Sequence, residues 1–331
     1  MGELGVDGGE KTAAVQLAKE IAEGKHGVYD SLLVSHKGQL LFESYYQRGR
    51  INLAHPQASA AKAYTSLALG RAIQLGYLTM TDLDKPLVSF FDDIDREKLV
   101  EGAELITLKK ALTMSGGLSV SEEKWEELQQ NPDAIQRQDF IQALLEHSGP
   151  ITAESQTFFY GNHNPPMVMA VIDAVAPGTA QEFIKTEVLD KLNITNYLWS
   201  DHVSGLPEAG WRVSLTSRDM LKLGSVVLNE GKWNGEQLVP TEYLAKATTP
   251  LAKPTAEWIP DSYRYGYFWY QIPLTVGGNS YDVSFAWGGG GQRVIVIEDL
   301  DLIVVTTGHD GDDDTAIIAR IAEHILPGFA Q

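Results

Sequence analysis

Cysteine is absent from the 331 residues, which removes disulfides, thiolate metal sites and a cysteine nucleophile together. That absence does not place the compartment, because a chain without thiols is at home in oxidising and reducing surroundings alike. Long apolar runs are missing as well. The richest, Met167 to Ala176, is broken by Asp173 and falls short of the roughly 20 residues a spanning helix needs. Positive charge is scarce: 26 lysines and arginines stand against 44 aspartates and glutamates, a net charge of −18 with no basic patch. No nucleic acid and no anionic membrane surface is expected as a partner, and solubility is the simplest role for the acidity. Residues Met1 to Glu10 are glycine-rich and acidic, the opposite of a secretory leader. A trimmed precursor would look the same, so cytoplasmic and secreted or periplasmic locations both stay open.

What is present begins with Ser59-Ala60-Ala61-Lys62. Residues three apart share one face of a helix, so the lysine amine reaches the serine oxygen, as an unactivated alcohol requires to attack at neutral pH. Pro56 breaks the preceding segment, and the alanines and leucines from Ala58 to Leu75, with Gly76 just beyond, predict a helix there. A chain of this length holds S-x-x-K about once by chance, and a second copy, Ser121-Glu122-Glu123-Lys124, sits among glutamates that read as a solvated helix start.

The periodicity predicts an amphipathic helix over Thr12 to Glu23, then strands at Ser31 to Ser35 and Gln39 to Tyr45 joined by a His36-Lys37-Gly38 turn. From Ser59 to about Asp201 the pattern is mostly helical. A further helix is predicted from Ser217 to Asn229, capped by Thr216 or Ser217. Strands follow at Tyr265 to Ile272, Tyr281 to Ala286, Gln292 to Ile297 and Leu302 to Thr307. A last helix is expected over Asp314 to Leu326, with Asp312 to Asp314 at its positive end. Strands at both ends and helices between them give an α+β fold. Its antiparallel sheet is built from both chain ends and flanked by the terminal helices, with an inserted, mostly helical domain. The expected division is 1–58 with 205–331 for the sheet domain and 59–204 for the helical one. The site is expected in the cleft between them.

Acyl transfer by a hydroxyl also needs an oxyanion hole and a proton donor for the leaving atom. Tyr160-Gly161-Asn162 is the one Y-x-N in the chain. A tyrosine facing an ammonium is expected to have its pKa lowered and to shuttle a proton. The alternative is a helix-start asparagine beside a packed tyrosine. Ala286-Trp287-Gly288-Gly289-Gly290-Gly291-Gln292 offers glycines where a ligand approaches the backbone. A strand follows these glycines, whereas a phosphate loop needs a helix. No G-x-S-x-G and no H-E-x-x-H occurs. A calcium loop counted from Asp310 would place Ile321 where glutamate belongs, so helix capping is the expected role of Asp310 to Asp314. No metal and no cofactor is expected.

Taken in order, these stretches resemble the penicillin-recognising serine hydrolases, whose signature joins S-x-x-K to a later K-T-G. The resemblance is to the AmpC-like β-lactamase and D-Ala-D-Ala carboxypeptidase fold, in its esterase and 6-aminohexanoate-dimer-hydrolase branch. It covers about residues 31 to 308. It also rests on Leu112-Thr113-Met114-Ser115-Gly116-Gly117-Leu118, Ser217 to Gly224, Gly231-Lys232-Trp233-Asn234-Gly235 and Tyr265-Gly266-Tyr267-Phe268-Trp269. The resemblance implies Ser59 as the acylated nucleophile, Lys62 as its base and Tyr160 as the proton shuttle. Asn162 would orient the substrate, a small-molecule ester or amide. The backbone N–H groups of Ser59 and Gly289, beside Gly288, would form the oxyanion hole. Trp287 would line the acyl pocket and His309 would reach the substrate, while His55, His163 and Trp269 are expected to be structural.

One departure bears on substrate. Relatives that bind a carboxylate begin the third motif with lysine or histidine, and here Ala286 stands there. Arg293 is expected at the surface. The resulting expectation is an ester or amide hydrolase for acyl groups without a recognised carboxylate. β-Lactamase or carboxypeptidase activity, or a catalytically silent binding module, are the alternatives. Oligomeric state is not legible.

Overall fold

The computed structural model describes residues 1–309 and 315–330. The expectations for Asp310 to Asp314 fall outside these residues. Seven strands form the main sheet: β1 Tyr29–His36, β2 Gln39–Tyr45, β3 Arg264–Tyr265, β4 Tyr270–Val276, β5 Asn279–Gly288, β6 Gln292–Ile297 and β7 Leu302–Gly308. They are antiparallel throughout, in the order β2-β1-β7-β6-β5-β4-β3. Both ends of the chain therefore meet in one sheet, where β1 pairs with β7. β6 and β7 are buried along their whole length, as β-branched runs covered on both faces must be.

Five helices frame the sheet and the site: α1 Lys11–Ala22, α2 Ala61–Gln74, α3 Asn164–Val175, α4 Ser217–Leu228 and α5 Ala316–His324. The terminal helices α1 and α5 pack on one another, α1 against β1 and α5 against β4. α4 lies on the sheet through Gly224, where a Cβ would stand 2.8 Å from Val294 Cγ1 and 3.0 Å from Ile303 Cγ2. Thr216 caps α4 by accepting from the Asp219 N–H. No single helix among the described residues is long and apolar enough to cross a membrane.

Two local differences from the sequence reading have identifiable causes. The stretch Tyr265 to Ile272 is not one strand. Phe268 adopts φ +63° and the Gly266 N–H donates to the Trp269 carbonyl at 2.8 Å, turning the chain into the β3–β4 hairpin. A side chain at Gly266 would run into the Ala247 carbonyl, so packing outside the hairpin demands that turn.

The helix expected from Ala58 opens instead as a 3₁₀ turn, Ala58–Ala60, before α2 begins. Ala58 has φ +45°, a conformation that costs a non-glycine residue about 1 kcal/mol or more. The preceding segment is pinned by a small sheet in which His55–Pro56 pairs with Val213–Leu215, and the Gln57 N–H donates to the Val213 carbonyl at 2.7 Å.

α2 is buried on every side from Ala61 to Ile73, so each polar group on it needs an internal partner. Thr65 donates to the Ala209 carbonyl, Ser66 pairs with the Tyr243 hydroxyl and Arg71 meets Glu187. The end of β5 rests on the turn in front of this helix. A Cβ on Gly288 would collide with the Gln57 carbonyl and stand 3.1 Å from the Ala60 nitrogen. Gly288→Ala is expected to destabilise the protein by about 1–3 kcal/mol, the usual range for overpacking, measured by urea unfolding. An unchanged midpoint contradicts this account of the contact.

Candidate active site

At the N-terminal end of the buried helix, Lys62 Nζ donates to Ser59 Oγ at 3.1 Å and to the Gly210 carbonyl at 3.0 Å. The 3₁₀ turn brings residues i and i+3 nearly into register, which sets the lysine over the serine. Lys62 is 2% exposed, and among the described residues no carboxylate lies within ion-pair distance of it. Burial therefore pushes the amine down to about 8, partly opposed by the negative charge of Glu208. The second S-x-x-K behaves differently. Ser121 Oγ accepts from the Lys124 N–H as a helix cap, and Lys124 Nζ turns away to Glu127.

Tyr160 sits on the loop before α3, its ring centroid 5.1 Å from Lys62 Nζ. That loop is fastened from three sides. The Phe159 N–H donates to the Met114 carbonyl at 2.8 Å, Thr255 donates to the Phe158 carbonyl at 3.0 Å, and Phe158 packs edge-on against Tyr265. The Leu112 to Leu118 stretch thus positions the tyrosine. Burial raises the Tyr160 phenol above its ordinary value, with the Ser59 and Tyr270 hydroxyls partly opposing. The lowering expected from a facing ammonium does not occur, because desolvation of the phenolate outweighs the hydroxyl hydrogen bonds that favour it. Asn162 is exposed and lines a cavity of about 220 Å³ with Glu208, Gly210 and Trp211.

On the other side of Ser59, Gly288 and Gly289 lead into a turn where Gly290 and Gly291 have φ +89° and +104°. A side chain at Gly289 would meet only open space. Gln292 holds the turn, its amide donating to the Gly289 and Gly308 carbonyls at 3.2 and 2.8 Å while accepting from the Gly308 N–H at 3.0 Å. Ala286 is fully buried. Trp287 packs against Tyr270, Tyr263 and Trp258, and Trp258 stands edge-on to Tyr160, so an aromatic wall runs from the glycine turn to the tyrosine. Trp269 is fully buried.

Arg293 is not at the surface. It is 1% exposed, with its guanidinium 4.7 Å from the Trp287 ring and Nη1 donating to the Gly288 and Gln292 carbonyls. The reason is its place on β6, a strand covered on both faces.

His309 Nδ1 lies 2.7 Å from Asp30 Oδ2, and His55 Nε2 is 3.4 Å from the same oxygen. His163 packs edge-on against Trp125. No group of three or more His, Asp or Glu side chains among the described residues is arranged to hold a metal ion.

Glu208 is the residue that sequence reasoning passed over. It is 3% exposed, accepts from the Ala209 and Gly210 N–H groups at 3.0 and 3.1 Å, and burial raises its pKa. In doing so it aims the Gly210 carbonyl at Lys62. Nothing in Leu206-Pro207-Glu208-Ala209-Gly210 marks this glutamate as buried; only its closeness to a Gly-Trp pair hints at a tight loop.

A profile of the Beta-lactamase family matches residues 15–324. The chain belongs to the beta-lactamase family. No curated protein matches this family member by sequence. Among solved structures, a penicillin binding protein from Bacillus halodurans superposes with a TM-score of 0.65 at 18% identity, over 92% of this chain and 99% of that one. A D-stereospecific amidohydrolase from Streptomyces sp. gives 0.67 at 17%, over 94% and 98%. EstCE1, a hydrolase with promiscuous acyltransferase activity, gives 0.71 at 13%, over 95% and 98%. At these identities the likeness carries the fold of the beta-lactamase family and nothing finer.

The lysine of this beta-lactamase family member has a measurable cost. Its value falls from 10.5 to about 8 on folding, so between those values the unfolded chain binds a proton that the folded chain has released. Stability contributed by this group is lowest below pH 8 and rises from there toward 10.5. Lys62→Met is expected to stabilise the protein at pH 7 by on the order of 1–3 kcal/mol, with the gain shrinking at higher pH. Urea unfolding at pH 7 and pH 9.5 checks this; a variant less stable than wild type at pH 7 contradicts it.

Proposed function

We propose that the protein is a serine hydrolase that cleaves an ester or amide through an acyl-enzyme on Ser59, acting on substrates whose acyl group presents no carboxylate to a recognising cation. The observation that carries this reading is the direct contact of Lys62 Nζ with Ser59 Oγ at 3.1 Å by an amine whose pKa is lowered to about 8. About a tenth of such an amine is uncharged at pH 7 and able to accept the serine proton. Ser59 Oγ then attacks the substrate carbonyl. The oxyanion is received by the N–H groups of Ser59 and Gly289, on a turn that Gly288 seats against the nucleophile.

Tyr160 keeps its proton because burial raises its pKa, which suits it to protonate the leaving group. In the second half it accepts a proton from the attacking water. Asn162 holds the substrate from the cavity it shares with Glu208 and Gly210. The cleft is read as lying between the helical unit, 59–204, and the sheet unit, 1–58 with 205–331.

Substrate class follows from the far wall. Ala286 is buried and uncharged where carboxylate-binding relatives place a cation. Trp287, Trp258 and Tyr160 present aromatic surface instead, and Trp258 is 53% exposed at the rim. Such a wall favours neutral, apolar acyl groups. Short-chain p-nitrophenyl esters are expected to be hydrolysed with a kcat/KM at least tenfold above that for nitrocefin, rising as the pH is raised through about 8, where Lys62 loses its proton. Nitrocefin turnover well above ester turnover would replace this reading with a β-lactamase.

A further inference from the structure

A second cavity, of about 350 Å³, opens behind the glycine turn and shares Ala58 and Gly289 with the nucleophile's surroundings. Its walls are largely aliphatic, from Leu53, Ala54, Pro56 and Ala58, and His309 closes one side. Beneath His309 lies Asp30, fully buried on β1. The carboxylate accepts from the Arg48 N–H at Oδ1, 2.8 Å, and from His309 Nδ1 at Oδ2, 2.7 Å. A carboxylate only accepts, so Nδ1 carries a proton, and Nε2 is the ring's remaining hydrogen-bonding atom. His55, on the other side of Oδ2, is kept neutral by burial. The cavity therefore combines an aliphatic lining with an imidazole fixed by Asp30, at the edge of the turn that carries Gly289.

We infer that this cavity is a subsite for a hydroxyl-bearing aliphatic group, whose hydroxyl hydrogen-bonds with Nε2 of His309 while its carbons lie against Leu53, Ala54 and Pro56. The inference rests on the acyl-hydrolase reading and names the chemistry that reading leaves open. The hydroxyl has two sources. It belongs either to a hydroxylated acyl chain or to an alcohol that takes the acyl group in place of water. In the second case the alcohol moves from His309 to the acyl carbon: its oxygen bonds to that carbon, the bond from the carbon to Ser59 Oγ breaks, its proton restores the Tyr160 phenol that protonated the leaving group, and Lys62 returns the serine proton. An ester is then released.

Two arms separate these sources. In the first, kcat/KM is compared for p-nitrophenyl 3-hydroxybutyrate and p-nitrophenyl butyrate. In the second, p-nitrophenyl butyrate is hydrolysed with increasing 1-butanol, and butyl butyrate is measured against butyrate. One buried hydrogen bond is worth about five- to tenfold. The expected result is a hydroxyl preference of that size in the first arm, or saturating ester formation in the second. In His309→Ala and in Leu53→Trp, which adds bulk to the cavity wall and keeps the histidine, the preference falls to near one or the saturation is lost. Each ratio is internal to its variant, so a general loss of activity leaves it unmoved. Ratios that neither substitution shifts overturn the subsite while leaving the hydrolase reading intact. A preference for p-nitrophenyl hemisuccinate over both esters overturns it too, because Arg48 at the cavity would then be selecting an anion. Absence of any p-nitrophenyl butyrate turnover by the wild type sinks the hydrolase reading itself, and the subsite with it.

Discussion

A lysine amine buried without a carboxylate beside it is the constraint on which the arrangement around Ser59 depends. Burying a charged amine unpaired is costly, and the protein meets that cost by letting the amine titrate near 8 and giving it two neutral oxygens, Ser59 Oγ and the Gly210 carbonyl. Glu208 occupies the intermediate position that makes this work. It is close enough for its charge to hold the amine above a still lower value, yet it spends its near oxygen on the Ala209 and Gly210 N–H groups. A glutamate in direct contact would lock the lysine as an ammonium and remove the base we propose.

The sheet supplies rigidity where the 3₁₀ turn and the helix after it supply Ser59 and Lys62. β5, β6 and β7 are tied together behind the glycine turn by Gln292 and Arg293, two long polar side chains that spend their donors on backbone carbonyls at the strand ends. The turn can then be all glycine without being loose. On the facing side, the positive φ of Ala58 shows local strain at the residue before Ser59, held by the small sheet through His55 and Gln57. Strain kept where surrounding structure over-determines it is the pattern expected of a reactive site.

Much of the architecture was legible in the chain. The His36-Lys37-Gly38 turn, the β-branched runs of β6 and β7 and the Thr216 cap carry their structure in local pattern, and the sheet made from both ends follows from where strands fall. What was not legible depends on contacts distant in sequence. Arg293 reads as a surface residue until its strand is known to be central. Glu208 reads as one more acid in an acidic chain. The direction of the Tyr160 shift turns on burial exceeding the hydrogen bonds of the Ser59 and Tyr270 hydroxyls, residues about a hundred positions away in the chain on either side. The break at Gly266 to Trp269 comes from the Ala247 carbonyl, about twenty residues earlier in the chain. The proximity of Ser59 to Lys62 was visible because i and i+3 meet in any helical turn; that the other copy at Ser121 caps a helix instead was visible from its glutamates.

The central claim is that Ser59, alone among the serines, is activated for covalent attack. Intact-mass spectrometry after treatment with a fluorophosphonate, followed by peptide mapping, tests it most directly. The account predicts one adduct per chain, located on Ser59, abolished by Ser59→Ala and retained in Ser121→Ala. No adduct on the folded wild type, or an adduct that survives Ser59→Ala, would contradict it.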